Sequence, residues 1–163
     1  MPLEIRSIIK QDAEQLIALM KEIDTQTDFL RYLPGERNTT VSRIYEIIDN
    51  SFEDILVAEI DNHLIGYLII AGNTFAKKKH TIEIVLGILE QYRGQGIGTQ
   101  LITAAERWAQ SKGIHRIELT VNTRNTGAFE LYKKLGYVLE GEKKHVTLIN
   151  GEYTDDYLMA KLI

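Results

Sequence analysis

Residues 81–100, TIEIVLGILEQYRGQGIGTQ, decide the fold that we predict for this chain. The stretch opens with an apolar run rich in β-branched residues over positions 82–89, which is typical of a strand. Apolar residues then recur at helical spacing from Ile97 onward. Between the two runs, residues 94–98 hold three glycines in five positions. The stretch therefore predicts a strand, a glycine turn and a helix in direct succession.

The glycine turn has the composition of an anion-binding loop. Glycine allows positive φ and close backbone approach, so several N–H groups can converge at the positive end of the following helix. An ordinary strand-to-helix turn without a ligand fits the same residues. Two known phosphate loops do not match these residues. A P-loop needs Lys followed by Ser or Thr after its last glycine, whereas Gly98 is followed by Thr99-Gln100. The dinucleotide fingerprint is Gly-x-Gly-x-x-Gly, whereas this turn is Gly-x-Gly-x-Gly.

Composition limits the class of protein. The length of 163 residues predicts one domain that spans residues 1–163. The net charge of -4 argues against non-specific nucleic-acid binding, and the absence of cysteine excludes disulfides, thiolate catalysis and cysteine-based metal sites. No segment approaches the ~18 apolar residues of a membrane span, and the N-terminus lacks the pattern of a signal peptide. We therefore expect a cytoplasmic protein that binds neither nucleic acid nor a membrane.

The remaining sequence predicts a mixed sheet with flanking helices. Asp12 with Gln15 resembles a capping box at the start of the first helix, and residues 24–38 predict a loop that could fold over a cleft. Residues 55–71 predict an antiparallel hairpin, as does the turn at residues 150–151. The long helix predicts a parallel crossover between the strands that flank it. We predict an α/β (α+β) fold with a mostly antiparallel central sheet and the order β-α-α-β-β-β-α-β-α-β-β.

Two motifs carry a resemblance to a known family. Residues 93–98, RGQGIG, follow the pattern R/Q-x-x-G-x-G/A. Residues 125–137, NTGAFELYKKLGY, follow N-x-x-A-x-x-L-Y-x-K-x-G-F, with Tyr137 in place of the final Phe. In this order and spacing, and with the element order above, the motifs resemble those of the GNAT superfamily of N-acetyltransferases. Residues 140–160 are also similar to a bacterial subgroup that acetylates small amines, including free amino acids.

The resemblance implies acetyl-CoA as the cosubstrate and no metal. Coenzyme A carries a pyrophosphate, which suits main-chain amides at a helix N-terminus, with Arg93 as a cation nearby. The resemblance also implies a splayed sheet, where strand residues present backbone groups to the pantetheine arm. Asn125 either contacts this arm or caps its helix. The predicted cofactor-binding residues are Leu86, Gly87, Ile88, Arg93, Gly94, Gln95, Gly96, Ile97, Gly98, Thr99, Asn125 and Tyr132.

The chemistry of acetyl transfer assigns two catalytic candidates, Tyr132 and Glu83. The reaction develops an oxyanion, which a main-chain N–H at the splay, such as that of Ile88, would stabilise. Tyr132 is the predicted general acid for the departing thiolate, although a core tyrosine on an apolar helix face fits the same position. Glu83 interrupts an apolar strand and is the predicted general base, with Glu90, His80 and a water chain as alternatives.

We predict an enzyme that moves an acetyl group from acetyl-CoA to a primary amine by direct attack. The acceptor is a small molecule, such as an amino acid or a polyamine, or a peptide. The alternatives are a non-catalytic acyl-CoA-binding regulatory module and a phosphate-binding module unrelated to acyl transfer. A homodimer is a further expectation that the resemblance implies.

Overall fold

The computed structural model describes residues 2–163 and confirms the predicted order of elements. Two short 3-10 turns, Lys10–Asp12 and Glu90–Tyr92, accompany seven strands and four helices. The elements are β1 (Glu4–Ser7), α1 (Ala13–Asp24), α2 (Val41–Ile48), β2 (Glu53–Ile60), β3 (His63–Gly72), β4 (Thr81–Ile88), α3 (Ile97–Ser111), β5 (Arg116–Asn122), α4 (Thr126–Lys134), β6 (Val138–Ile149) and β7 (Glu152–Leu162).

The strands form one sheet in the order β1-β2-β3-β4-β5-β7-β6. Every neighbouring pair is antiparallel except β4 and β5, which α3 connects as a crossover. The parallel ladder is short, because it joins Thr81–Glu83 only to Arg116–Glu118. Beyond Glu83 the two strands separate, so the sheet is split between the last five residues of β4 and the end of β5.

Helices cover both faces of the sheet. A Cβ added to Gly66 in β3 would lie 3.6 Å from Leu101 of α3. The next residue, Tyr67, points to the opposite face because side chains alternate along a strand, and there it lies close to Asp24 at the end of α1. The α3 face and the α1 face are therefore distinct, and the split between β4 and β5 connects them. In the part of the chain that the structure describes, no helix is long and apolar enough to cross a membrane.

Local turn chemistry explains both predicted hairpins. Asp61 and Asn62 join β2 to β3 with φ values of 52° and 65°. Asn150 and Gly151 join β6 to β7 with φ values of 50° and 80°. Two consecutive residues at positive φ match the right-handed twist of the flanking strands, and Asn, Asp and Gly adopt this conformation most readily.

The predicted capping box at the start of α1 is wrong. The Asp12 carboxylate makes no cap hydrogen bond within the helix; it accepts from the N–H of Ile9 at 2.9 Å and from both Nη atoms of Arg6 at 2.7 and 2.9 Å. Gln15 accepts instead from the N–H of Leu64 at 2.6 Å. A charged guanidinium competes successfully with a neutral helix N–H for a carboxylate, since charge-assisted hydrogen bonds are stronger.

Candidate active site

The split sheet leaves one backbone edge of β4 open. The N–H of Leu89 donates to the carbonyl oxygen of Ile65 in β3 at 3.0 Å. Since peptide groups of successive residues alternate in direction along a strand, those of Leu86 and Ile88 point away from β3 and toward the split. Within residues 2–163, no strand pairs with this edge beyond Glu83. The N–H groups of Leu86 and Ile88 can therefore bind an extended ligand that lies along the edge.

The glycine turn sits at the end of this edge. Gly94 and Gly96 adopt φ values of 74° and 81°, and Gly96 is the N-cap residue of α3. The first intrahelical bond runs from Gln100 N–H to Gly96 O at 3.1 Å. The amides of residues 97–99 precede it, so they have no acceptor within the helix. These amides lie at the positive end of the helix dipole, which is the arrangement that an anion-binding turn requires.

Gly98 serves packing rather than backbone conformation. A Cβ at this position would lie 3.1 Å from Cδ2 of Leu131 in α4, which is closer than ordinary van der Waals contact, and 3.5 Å from Cδ2 of Leu86. The absence of a side chain therefore brings the N-terminus of α3 close to both α4 and β4. The three glycines of the motif thus have two separate roles.

Arg93 is tied to the open edge. Its Nε donates to the carbonyl oxygen of Ile88 at 3.2 Å, while the side chain as a whole is exposed. This hydrogen bond holds the guanidinium at the end of β4, and Arg93 lines the same cavity as Gly94 and Gly96. The positive charge therefore lies where an anion bound to the amides of residues 97–99 would meet it.

A cavity of about 620 Å³ joins these features. One wall consists of the open edge and the glycine turn, a second of the start of α4, and a third of the end of α1 with the loop that follows it. The lining residues are Ile23, Gln26, Thr27, Asp28, Phe29, Leu30, Leu86, Gly87, Ile88, Tyr92, Arg93, Gly94, Gly96, Ile97, Gly98, Thr99, Asn125, Gly127, Ala128 and Leu131. Every predicted cofactor-binding residue lines it except Gln95 and Tyr132. The exposed side chain of Gln95 donates to the carbonyl oxygen of Gln91 at 3.1 Å.

Tyr132 does not line the cavity, but it directly follows Leu131, which does. Asn125, Ala128 and Tyr132 share one face of the α4 region, since they follow each other at helical spacing. Asn125 caps the helix, because its Oδ1 accepts from the N–H of Ala128 at 3.4 Å. The Tyr132 side chain is 7% exposed, and its ring centroid lies 5.9 Å from that of Tyr137 in an edge-on contact. Burial raises the pKa of Tyr132 to about 12, so the hydroxyl is protonated at neutral pH.

The three candidate bases lie at different distances from the cavity. Glu83 occupies the last paired position before the strands separate, opposite Ala71 and Glu118, and its side chain is exposed on the α1 face. Glu90 is also exposed, and its N–H donates to Oε1 of Gln26 at 2.8 Å. His80 precedes the far end of β4, about 26 Å along the strand from Ile88. None of the three side chains lines the cavity.

Sequence reasoning missed the group that fixes the third wall. Arg37 donates from Nε and Nη2 to the two carboxylate oxygens of Asp24 at 2.7 and 3.1 Å, and both side chains are buried. This ion pair ties the loop after α1 back to the helix, while Gln26 ties it to Glu90. A glycine inside an apolar strand, as at Gly87, indicates close approach of another group, and this signal could have pointed to Tyr67 beside it.

Comparison with known proteins identifies the family. The model of the acetyltransferase (GNAT) family matches residues 19–137, which include the open edge, the glycine turn and α4. The chain belongs to the GNAT family of acetyltransferases. It is therefore an acetyl-CoA-dependent N-acetyltransferase, and the catalytic alternative is favoured over the non-catalytic binding module.

Three similar proteins illustrate the relationship. AaaT, an L-amino acid N-acetyltransferase of Escherichia coli strain K12, is 32% identical over 111 residues, which cover 66% of this chain and 67% of the relative. The crystal structure of a GNAT acetyltransferase from Streptococcus pneumoniae has a TM-score of 0.94 at 30% identity and covers 99% of this chain and 100% of its own. The structure of yncA from Salmonella typhimurium with its cofactor acetyl-CoA shares the fold, with a TM-score of 0.87 at 19% identity over 99% and 94% of the two chains.

Replacement of Gly96 by Ala is expected to weaken acetyl-CoA binding about tenfold, because a Cβ at a φ of 81° costs about 1–2 kcal/mol and the strain is relieved by moving the amides that follow. Gly113→Ala is the matched control, since Gly113 has a φ of 72° at the other end of α3. Calorimetry should show weaker binding for Gly96→Ala alone, although both variants lose stability. Equal affinity in the two variants would contradict the assignment of the turn.

Proposed function

We propose that the chain acetylates the α-amino group of free L-amino acids in one step, without an acyl-enzyme. The observation that carries the proposal is the continuity of the cavity, which runs from the amides of α3 to the loop after α1. An acetyl donor on one wall and an amine on the other would meet within one space. The similarity to AaaT, whose name gives L-amino acids as substrates, supports this acceptor class.

Acetyl-CoA fits the first and second walls in a specific orientation. The amides of Gly94 to Thr99 face the pyrophosphate, with Arg93 beside it. The pantetheine arm lies along Leu86, Gly87 and Ile88, where it adds to the sheet as a further strand would. Asn125 at the start of α4 borders the same arm. Acetyl-CoA supplies the activated acetyl group; the protein residues position it and stabilise the charges that develop.

Residues near the split between β4 and β5 have separate roles in the reaction. The N–H groups of Leu86 and Ile88 point into it and stabilise negative charge on the acetyl oxygen during attack. Tyr132 donates a hydrogen bond to the departing sulfur. Glu83 lies three residues from Leu86, about 10 Å along β4, so it accepts the proton of the acceptor ammonium through water rather than by direct contact.

The third wall offers an acceptor apolar surface and one carboxylate. Ile23, Phe29 and Leu30 provide apolar surface, and Asp28 provides a carboxylate that attracts an ammonium group. In this arrangement the side chain of an amino acid packs against the apolar residues, while its nitrogen faces Gly87. A long polycation would need further carboxylates along the same wall.

A thiol-release screen tests the acceptor class. The wild-type protein is incubated with acetyl-CoA and, in separate reactions, with free amino acids, polyamines, aminoglycosides and peptides with free N-termini. We expect the highest kcat/KM with a free amino acid that has an apolar side chain. A higher kcat/KM with a polyamine or a peptide would overturn the proposed acceptor while leaving the family assignment intact.

Three broader predictions belong to this proposal. Residues 1–163 form one domain, the protein acts in the cytoplasm, and two copies form a homodimer. Sedimentation velocity at micromolar concentration measures the last of these directly. A single species of 18.6 kDa would contradict the homodimer.

A further inference from the structure

Tyr67, which lies outside both sequence motifs, packs against Gly87 at the open edge of β4. A Cβ at Gly87 would lie 2.6 Å from Cε1, 2.7 Å from Cζ and 2.8 Å from the hydroxyl oxygen of Tyr67. The two residues face each other in the register of β3 and β4. The tyrosine ring therefore extends from β3 across the backbone of β4, and its hydroxyl lies over Gly87.

The hydroxyl is thus on the side of the sheet from which an acceptor would come. Gly87 lies between Leu86 and Ile88, whose N–H groups point into the split. Tyr67 is on the α1 face, and Ile23 of α1 and the loop after it form the third wall of the cavity. The hydroxyl of Tyr67 therefore lies beside Gly87, which lines the cavity at the open edge of β4.

A buried ion pair between Arg37 and Asp24 lies close to Tyr67. The side chains of Arg37 and Asp24 are 7% and 1% exposed. Arg37 also contacts Sδ of Met20 at 3.5 Å through Nη1 and lies over the ring of Tyr32, 4.6 Å from its centroid. Contacts with three residues, Asp24, Met20 and Tyr32, hold the guanidinium in place. Burial raises the pKa of Tyr67 to about 12, and the nearby guanidinium opposes part of this rise. The Tyr67 ring itself is 1% exposed, so it has little freedom to move.

We propose that Tyr67 is an additional catalytic residue, whose hydroxyl oxygen accepts a hydrogen bond from the attacking amine and directs the nitrogen lone pair at the acetyl carbon. Asp24 and Arg37 are positioning residues that act through it. This role rests on the proposed function. In the step, the nitrogen–carbon bond forms and the carbon–sulfur bond breaks. Water carries the ammonium proton to Glu83 before the attack. The second nitrogen proton, released as the amide forms, passes through water to the departing sulfur, which leaves as the thiol. Tyr132 hydrogen-bonds to that sulfur, and Tyr67 keeps its own proton.

The ion pair of Asp24 and Arg37 has no net charge, which matters because the acceptor is a cation. The amine arrives as an ammonium cation, and an uncompensated guanidinium beside Tyr67 would repel it. Asp24 cancels this charge through two hydrogen bonds. Loss of the Asp24 charge should therefore act more strongly on the amine than on acetyl-CoA, whose predicted contacts lie along β4 and the glycine turn.

The test compares Tyr67→Phe, Asp24→Asn and Asp12→Asn with the wild-type protein. Tyr67→Phe keeps the ring over Gly87 and removes the hydroxyl alone. Asp12→Asn is the matched control, since Asp12 makes the same two-pronged contact with an arginine at the opposite end of α1. The assay uses the amine with the highest rate in the thiol-release screen, so it starts from measured acetyl transfer, and a negative result bears on Tyr67 alone.

We expect Tyr67→Phe to lower kcat/KM for the amine about tenfold, the factor that one hydrogen bond represents, with an unchanged Kd for acetyl-CoA. Asp24→Asn should lower kcat/KM for the amine by at least as much, mainly through KM. Asp12→Asn should leave both constants unchanged even where its Tm falls. A wild-type kcat/KM in Tyr67→Phe, or an equal effect on the acetyl-CoA Kd, would overturn the proposal.

Discussion

Replacement of Tyr132 by Phe is expected to lower kcat about 100-fold, the scale of a lost hydrogen bond to a charged group, with no change in the Kd of acetyl-CoA. The hydroxyl is the one polar group of α4 on the face shared by Asn125 and Ala128, and burial holds its pKa near 12. That value lies above the pKa of an ordinary thiol such as cysteine, about 8.5. The hydroxyl therefore acts on the departing sulfur mainly as a donor of a charge-assisted hydrogen bond.

Tyr137→Phe provides a control of the same chemistry in the same aromatic contact. The Tyr137 hydroxyl is buried and, among residues 2–163, has no hydrogen-bond partner. Its removal should leave kcat unchanged and keep or raise Tm, because an unsatisfied buried hydroxyl costs free energy of folding. Stopped-flow or steady-state thiol release measures kcat for both variants. An unchanged kcat in Tyr132→Phe would mean that Tyr132 only packs in the core and takes no part in the reaction.

Replacement of Gly87 by Ala is expected to cost about 1–3 kcal/mol of stability and to lower kcat/KM about 100-fold. The new Cβ would lie within 2.8 Å of two ring carbons and the hydroxyl oxygen of Tyr67, a side chain that is itself buried. Either the ring or the backbone of β4 must move. Movement of the ring displaces the Tyr67 hydroxyl, and movement of β4 displaces the N–H groups of Leu86 and Ile88. A displacement of about 1 Å is enough to lower the rate about 100-fold.

Gly141→Ala is the matched control for this variant. Gly141 lies in β6, has no strained φ and would place its Cβ at least 4 Å from the nearest heavy atoms. Denaturant unfolding and acetyl transfer should both match the wild-type protein. If Gly87→Ala also matched it, the close approach of Tyr67 to β4 would have no functional consequence.

Sequence signals of short range predicted most of the framework. The strand, glycine turn and helix of residues 81–111, and both hairpins, depend on residues that are neighbours in the chain. The glycine turn could be assigned because positive φ at Gly94 and Gly96 is a local demand of the backbone. The prediction that Leu86 and Ile88 present backbone groups to the cofactor came from the resemblance. The parallel ladder ends at Glu83, which leaves those backbone groups without a partner strand among the described residues.

Contacts between distant segments could not be predicted in the same way. Asp24 pairs with Arg37 across a loop, and Tyr67 covers Gly87 from the neighbouring strand, so neither follows from periodicity. The Asp12 capping box failed for this reason too, because its carboxylate met Arg6 from β1. The third wall of the cavity depends entirely on such contacts. Its acceptor therefore has to be established by experiment.

Amide hydrogen exchange measured by NMR tests whether acetyl-CoA lies along the open edge of β4. We expect acetyl-CoA to slow exchange at the N–H groups of Leu86 and Ile88 as well as at residues 97–99. Inorganic pyrophosphate alone should slow exchange only at residues 97–99. If saturating acetyl-CoA left the exchange of Leu86 and Ile88 unchanged, the cofactor would not lie along this edge.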